Sequence, residues 1–237
     1  AWSFCYIVFR TKWEEMMEDL HTLIETLEGT ATPFTMDGTL PPSQIAAAWL
    51  GHYATPNRSC LSLFLTSGTH TGFIAAVHEG SHAIAKGAAA LPMDLRVYEM
   101  ADPHRKSDDI QAQAMAYGMM AVDETIDMAA LCGVGEGVEA LCLNSFMAQA
   151  DATQLGLMGA MLAALQADIP CLIAGGMAEK NATLLARLAP EAASRLLRVE
   201  HLGLEQESDP AMALLLGYNQ LTLLASMTEQ ETETQAA

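Results

Sequence analysis

The chain has 237 residues, 51% of them hydrophobic, enough apolar material to bury a large core without disulfide or metal staples. Twenty-nine acidic against eleven basic residues leave a formal net charge of −18, which repels a phosphate backbone and excludes nucleic acid as a partner. The longest apolar stretch, 155–178, is interrupted by Gln166, Asp168 and Pro170, so it reads as a buried helix followed by a strand and gives no reason to expect a membrane partner.

The apolar start, residues 1–9, is too short for a span, and its positive charges, Arg10 and Lys12, follow it where a signal peptide would carry them in front. Five cysteines (Cys5, Cys60, Cys132, Cys142, Cys171) form no Cys-x-x-Cys pair, which points to a reducing compartment; Cys132 and Cys142, ten apart, read as core residues. The expectation is a soluble, cytoplasmic protein. Residues 11–28 place Trp13, Met16, Met17, Leu20, Leu23, Ile24 and Leu27 at helical spacing, with Gly29 as the stop. Ser43 caps a second helix running to about Tyr53. Residues 1–53 thus form a helical opening segment, 54–227 an α/β core of the same domain, and 228–237 a polar tail predicted to be disordered.

From residue 61 strands and helices alternate: strands at 61–65, 94–99, 126–132, 169–174 and 196–200, with helices at 72–90, 107–124, up to about 166, 178–188 and 209–226. Such alternation predicts a three-layer α/β fold, a mostly parallel sheet with helices on both faces and a small helical appendage. Ligands of these sheets bind beyond the carboxyl ends of the strands, here the loops 66–71, 100–106, 133–137, 174–177 and 200–208. The fifteen methionines, among them Met115, Met119, Met158 and Met161, fall at helical spacing and read as core or subunit interface.

Within those loops, Gly133-Val134-Gly135-Glu136-Gly137 leaves an apolar strand and opens toward a helix, where small residues let backbone N–H groups approach a phosphate. Together with the preceding stretch from Ala114-Met115-Ala116-Tyr117-Gly118 to Ile126-Asp127-Met128-Ala129-Ala130-Leu131, it resembles the helix, strand and Gly-Ile-Gly-Asn-Thr-Thr loop of the nicotinate-nucleotide:dimethylbenzimidazole phosphoribosyltransferases. Leu40-Pro41-Pro42-Ser43 with Trp49-Leu50-Gly51 resembles that family's Lys-Pro-Pro-Gly-Ser-Leu helix, and Gly80, Ala83-Ile84 and Asp94-Leu95-Arg96-Val97 its Gly-Gly-Ala-Ala-Ile-Asn helix and next strand. Ala174-Gly175-Gly176 stands at its Asp-Gly-Phe turn, and His201 and Glu205 match two positions of its Ser-His-x-Ser-x-Glu-Pro-Gly loop. The resemblance keeps its order over roughly residues 38–226.

It implies a homodimer, without metal or other cofactor, that transfers phosphoribose from nicotinate mononucleotide to a benzimidazole nitrogen in cobamide lower-ligand synthesis. Its partners are therefore a small-molecule nucleotide and an aromatic base. Gly133, Gly135, Gly137, Gly175, Gly176, His70, His201 and Tyr218 become the expected substrate-binding residues. The family's base, a glutamate in Gly-Glu-Gly, is absent: the corresponding stretch reads Gly217-Tyr218-Asn219-Gln220. A second family glutamate aligns with Leu131, and Asn-Thr-Thr becomes Glu136-Gly137-Val138, so the carboxylates left for catalysis are Glu136 and Glu205. An alternative consequence is a catalytically inactive partner subunit of an active homologue.

A rival motif is His78-Glu79-Gly80-Ser81-His82. On one continuous helix the two histidines share a face as zinc ligands and Glu79 can take a proton from metal-bound water, the arrangement of a zinc hydrolase. Glu99, Asp102 or His104 could supply a third ligand; against the motif, Gly80 weakens that helix and no third-ligand motif is recognisable. Arg105 and Lys106 are the basic groups best placed to meet an anion on the 100–106 loop.

Overall fold

A computed structural model of the chain describes residues 13–30, 40–52, 58–91, 93–101, 108–123, 125–204 and 209–236, with backbone alone for 13–16, 29–30, 52, 108–109 and 225–236. Glu205, Asp102, His104, Arg105 and Lys106 lie outside the described residues.

Five strands, β1 (Ser59–Thr66), β2 (Met93–Met100), β3 (Met128–Gly133), β4 (Cys171–Ala174) and β5 (Leu196–Arg198), form one all-parallel sheet in the order β2-β1-β3-β4-β5. The two-residue side-chain period sends Leu61, Leu63, Ala130, Cys132, Leu172 and Leu197 to one face and Phe64, Ala129, Leu131, Cys171, Ile173 and Leu196 to the other. A parallel sheet must be covered on both sides because its helical crossovers lie there. The first face is covered by α2 (Pro42–His52), α4 (Ala83–Ala90) and α10 (Pro210–Ala236). On the second, α7 (Ala152–Gln166) lies directly on β1, β3 and β2, with α5 (Asp108–Met119), α1 (Trp13–Thr30) and α8 (Gly176–Leu188) packed around it. Three layers result, as the alternation of strands and helices predicts.

Every residue of α7 from Ala152 to Leu165 is buried. A helix apolar all round belongs in an interior, and its covering helix α5 comes unusually close. A Cβ at Gly118 of α5 would sit 1.8 Å from the Gly156 carbonyl oxygen, and one at Gly159 2.1 Å from the Met115 carbonyl oxygen. The helices thus touch backbone to backbone, and the methionines fit around them: Met115, Met158 and Met161 are buried, while Met120 is exposed.

Four details differ from the sequence reading. The helix expected over 72–90 is two, α3 (Thr71–His78) and α4, because Gly80 takes a left-handed φ of +70° and the chain turns there. α10 stays helical through Ala236, where a disordered tail was expected from residue 228; Glu, Gln and Thr in 228–235 are compatible with helix. Cys142 is exposed at the start of α6 (Leu143–Gln149), while Cys60, Cys132 and Cys171 are buried and free, burial pushing the Cys132 thiol up to about 12. The short helix α9 (Pro190–Ala193) was not anticipated. Among the described residues no helix is long and apolar enough to cross a membrane.

Gly118→Ala should force α5 off α7 and destabilise the protein by about 3 kcal/mol, a fall of roughly 6–12 °C in melting temperature. Gly51→Ala, with nothing within 4 Å of the new methyl, should instead be neutral or stabilise by up to about 1 kcal/mol.

Candidate functional site at the carboxyl edge of the sheet

β3 and β4 end side by side, with Cys132 opposite Ala174 in the register, so the two turns that follow them are brought together. Gly175, at φ +94°, caps α8; a Cβ there would lie 3.1 Å from Pro210 and 3.6 Å from the Gly133 carbonyl oxygen. A Cβ at Gly176 would lie 3.7 Å from both the backbone oxygen and Oε2 of Glu136. The Met177 side chain fills the space beneath Gly133 and Gly137. Glycine turn 133–137 and glycine turn 174–177 therefore meet at van der Waals distance.

Four polar side chains that no sequence motif marks hold this arrangement. Gln154, in the first turn of α7, accepts from Val138 N at 2.7 Å and donates through Nε2 to Val138 O at 2.9 Å and Asn181 Oδ1 at 3.0 Å. Asn181 of α8 donates back to Gln154 O at 3.2 Å, and both amides are fully buried. Asp151 caps α7 by accepting from Gln154 N at 2.8 Å. Lys180 Nζ donates to Glu136 O at 2.8 Å and Gly137 O at 3.1 Å. The signal for these residues was a polar side chain on a buried helix face: Asn181 shares its face with Ala178, Ala182 and Leu185, and Gln154 sits in an otherwise apolar helix.

Val134 N donates to Phe64 O at 2.8 Å, and Val138 N is taken by Gln154, but the N–H groups of Gly135, Glu136 and Gly137 have no partner among the described residues. Beside them lies the N-terminus of α8, whose first-turn N–H groups are unsatisfied by helix geometry and carry partial positive charge. The arrangement is suited to holding an anion. The Glu136 carboxylate occupies the same neighbourhood and is the one expected catalytic group that the described residues place there.

β5 delivers two more groups to this edge. Arg198 pairs with Glu179 of α8 at 2.8 Å, and His201 stands in the single 3-10 turn Val199–Leu202, which Gln220 holds through Leu202 O at 3.2 Å. His201 Nδ1 is buried without a hydrogen-bond partner among the described residues. Burial, assisted by the Arg198 charge and opposed by Glu200, holds its imidazole below the usual histidine range.

No hydrogen bond joins His70 or Tyr218 to the glycine turns among the described residues. His70 is the residue before α3, at the end of the loop from β1, the strand paired with β3. Tyr218 is fully buried in the layer between the sheet and α10, its hydroxyl unpartnered among the described residues.

The zinc reading is corrected by the backbone. His78 ends α3, and His82 caps α4, its Nδ1 accepting from Ile84 N at 3.3 Å and its ring packing edge-on against Phe73 at 4.9 Å. The one-turn spacing that two zinc ligands need requires a continuous helix, which Gly80 interrupts. Among the described residues no group of three His, Cys, Asp or Glu could hold a metal ion.

No protein-family model and no curated protein matches the chain. Solved structures do. CobT from Thermus thermophilus superposes with a TM-score of 0.55 at 12% identity, over 87% of this chain and 95% of that one. This chain carries the CobT fold. A nicotinate-nucleotide-dimethylbenzimidazole phosphoribosyltransferase from the same organism matches with a TM-score of 0.54 at 13% identity, over 87% and 94%. The CobT-like sheet is what sets the glycine turns side by side.

Two outcomes follow. Because the folded protein binds the His201 proton less well than the unfolded chain, His201 costs nothing above the unfolded value near pH 6.5 and destabilises progressively as pH falls below it. The melting temperature should fall on acidification from pH 7 to 5, and His201→Gln should flatten that slope. His82→Ala should lose a helix cap worth about 1 kcal/mol, whereas a chelator should leave wild-type melting unchanged; chelator-sensitive melting would restore the metal reading.

Proposed function

We propose that this chain is a phosphoribosyltransferase-like protein of cobamide lower-ligand nucleotide synthesis, binding nicotinate mononucleotide, a benzimidazole-type base, or both, at the carboxyl edge of its sheet. The observation that carries this reading is the meeting of turn 133–137 with the N-terminus of α8, with three N–H groups left without a partner among the described residues, in a CobT-like fold. The phosphate of the nucleotide belongs at those N–H groups and the aromatic base toward β5 and His201. The reading extends to a homodimer in the cytoplasm.

Turnover is a separate matter from binding. An azole nitrogen attacking the ribose carbon must give up a proton, and the stretch that resembles the family's Gly-Glu-Gly reads Gly217-Tyr218-Asn219-Gln220, without a carboxylate. Glu136 is the nearest described replacement, and Glu205 is the second carboxylate assigned to the role. Lacking a dedicated base, transfer should run roughly 10²–10⁴-fold below an enzyme that has one.

Thermal melting tests the binding claim directly. Nicotinate mononucleotide at a hundred times its Kd should stabilise the protein by about 2.7 kcal/mol, a rise of roughly 5–11 °C. Flat titrations with both the mononucleotide and dimethylbenzimidazole would remove the proposal.

A further inference from the structure

A chain of net charge −18 repels phosphate at long range, so an anion site on it needs a local cation. At the carboxyl edge the described residues offer two. Arg198 is matched by Glu179 at 2.8 Å, both partly buried, and its charge is spent in that pair. Lys180 differs: its ammonium touches two carbonyl oxygens, Glu136 O and Gly137 O, and no carboxylate lies within ion-pair distance among the described residues. Two of its three N–H groups are spent on those oxygens and one remains.

Its bonds also shape the turn. In a trans peptide the carbonyl and the next N–H point in opposite directions, so a cation drawing in Glu136 O fixes and polarises the Gly137 N–H on the other side of the same plane. Gln154 fixes the following peptide from both ends, accepting from Val138 N and donating to Val138 O. The open donors of residues 135–137 are thereby held in place before any ligand arrives. Against them stands Glu136, whose carboxylate reaches the Gly176 end of α8 and competes for the same positive field.

We propose that Lys180 is the anion-recognition residue of this site, supplying the charge that lets turn 133–137 take a phosphate monoester, and that Glu136 sets its affinity in the opposite direction. This rests on the binding reading above for its nucleotide, but its anion chemistry can be tested without one. Titrations would use inorganic phosphate, nicotinate mononucleotide, and the same nucleoside without its phosphate, with wild type, Lys180→Met, Lys180→Arg and Glu136→Gln. Lys180→Met should weaken phosphate and mononucleotide roughly 10- to 100-fold and leave the nucleoside unchanged; Lys180→Arg should retain most binding, and Glu136→Gln should tighten both phosphate-bearing ligands. Equal weakening of mononucleotide and nucleoside by Lys180→Met, or unchanged phosphate binding in that variant, would overturn the assignment and leave the nucleotide reading standing. Lysine-dependent phosphate binding without mononucleotide binding would uphold Lys180 and remove the nucleotide; a wild-type protein that takes neither overturns both.

Discussion

The side-chain amide of Gln154 joins three elements that would otherwise be independent: α7, the glycine turn after β3, and α8. It is fully buried and spends its acceptor on Val138 N and its donors on Val138 O and Asn181 Oδ1. A buried amide is stable only while its partners are present, and removing one leaves a desolvated donor or acceptor that costs about 1–3 kcal/mol. The reciprocal bond from Asn181 Nδ2 to Gln154 O closes the set, so turn and helix must stay together for either amide to be satisfied. A turn rich in glycine would otherwise sample many conformations. Here its entropy is removed by side chains whose own rotamers are held by packing.

Gln154 can do this because α7 is fixed first. The helix is buried from Ala152 to Leu165 between the sheet and α5, and the close approach at Gly118, Gly156 and Gly159 leaves α7 no room to slide. Its first turn is aimed at the carboxyl edge, where Asp151 caps it and Thr153 Oγ1 meets Thr66 Oγ1 at the end of β1 at 3.0 Å. The sheet reverses its strand order about β1, with β2 on one side and β3 on the other. The loops after β1 and β3 separate at that point, so turn 133–137 flanks the crevice in which open α/β sheets bind ligands. Rigid elements therefore carry the positions, and the turns carry the chemistry.

Much of this was legible in the amino-acid sequence. Strands announced themselves as short apolar runs between turn residues, and all five lie within a few residues of their expected positions, as do the glycine turns after β3 and β4. What escaped has a common physical character. Gly80 in a helix-compatible run can be a tolerated interior glycine or a left-handed break, and only the backbone distinguishes them; His78 and His82 fell on different helices for that reason. Tyr218 lies in the apolar layer between the sheet and α10, a burial that helix phase sets and no local motif shows. Gln154, Asn181 and Lys180 carry no motif, because a clamp assembled from residues 16 to 44 positions away from the turn they hold leaves no local pattern.

The same geometry bears on whether binding and catalysis can separate in one fold. Holding a phosphate asks for backbone N–H groups, a helix N-terminus and a cation, and in the proposed site these are the glycine turns, α8 and Lys180, irrespective of which side chains line the rest of the edge. Moving a proton from an azole nitrogen asks for one carboxylate at one place, within about 3 Å of that nitrogen. The first requirement is distributed over a framework that also stabilises the fold, so it survives extensive change in sequence. The second rests on a single side chain that contributes nothing to folding. A chain only 12% identical to CobT can therefore keep the fold that sets two glycine turns side by side while the side chains laid on that fold change freely.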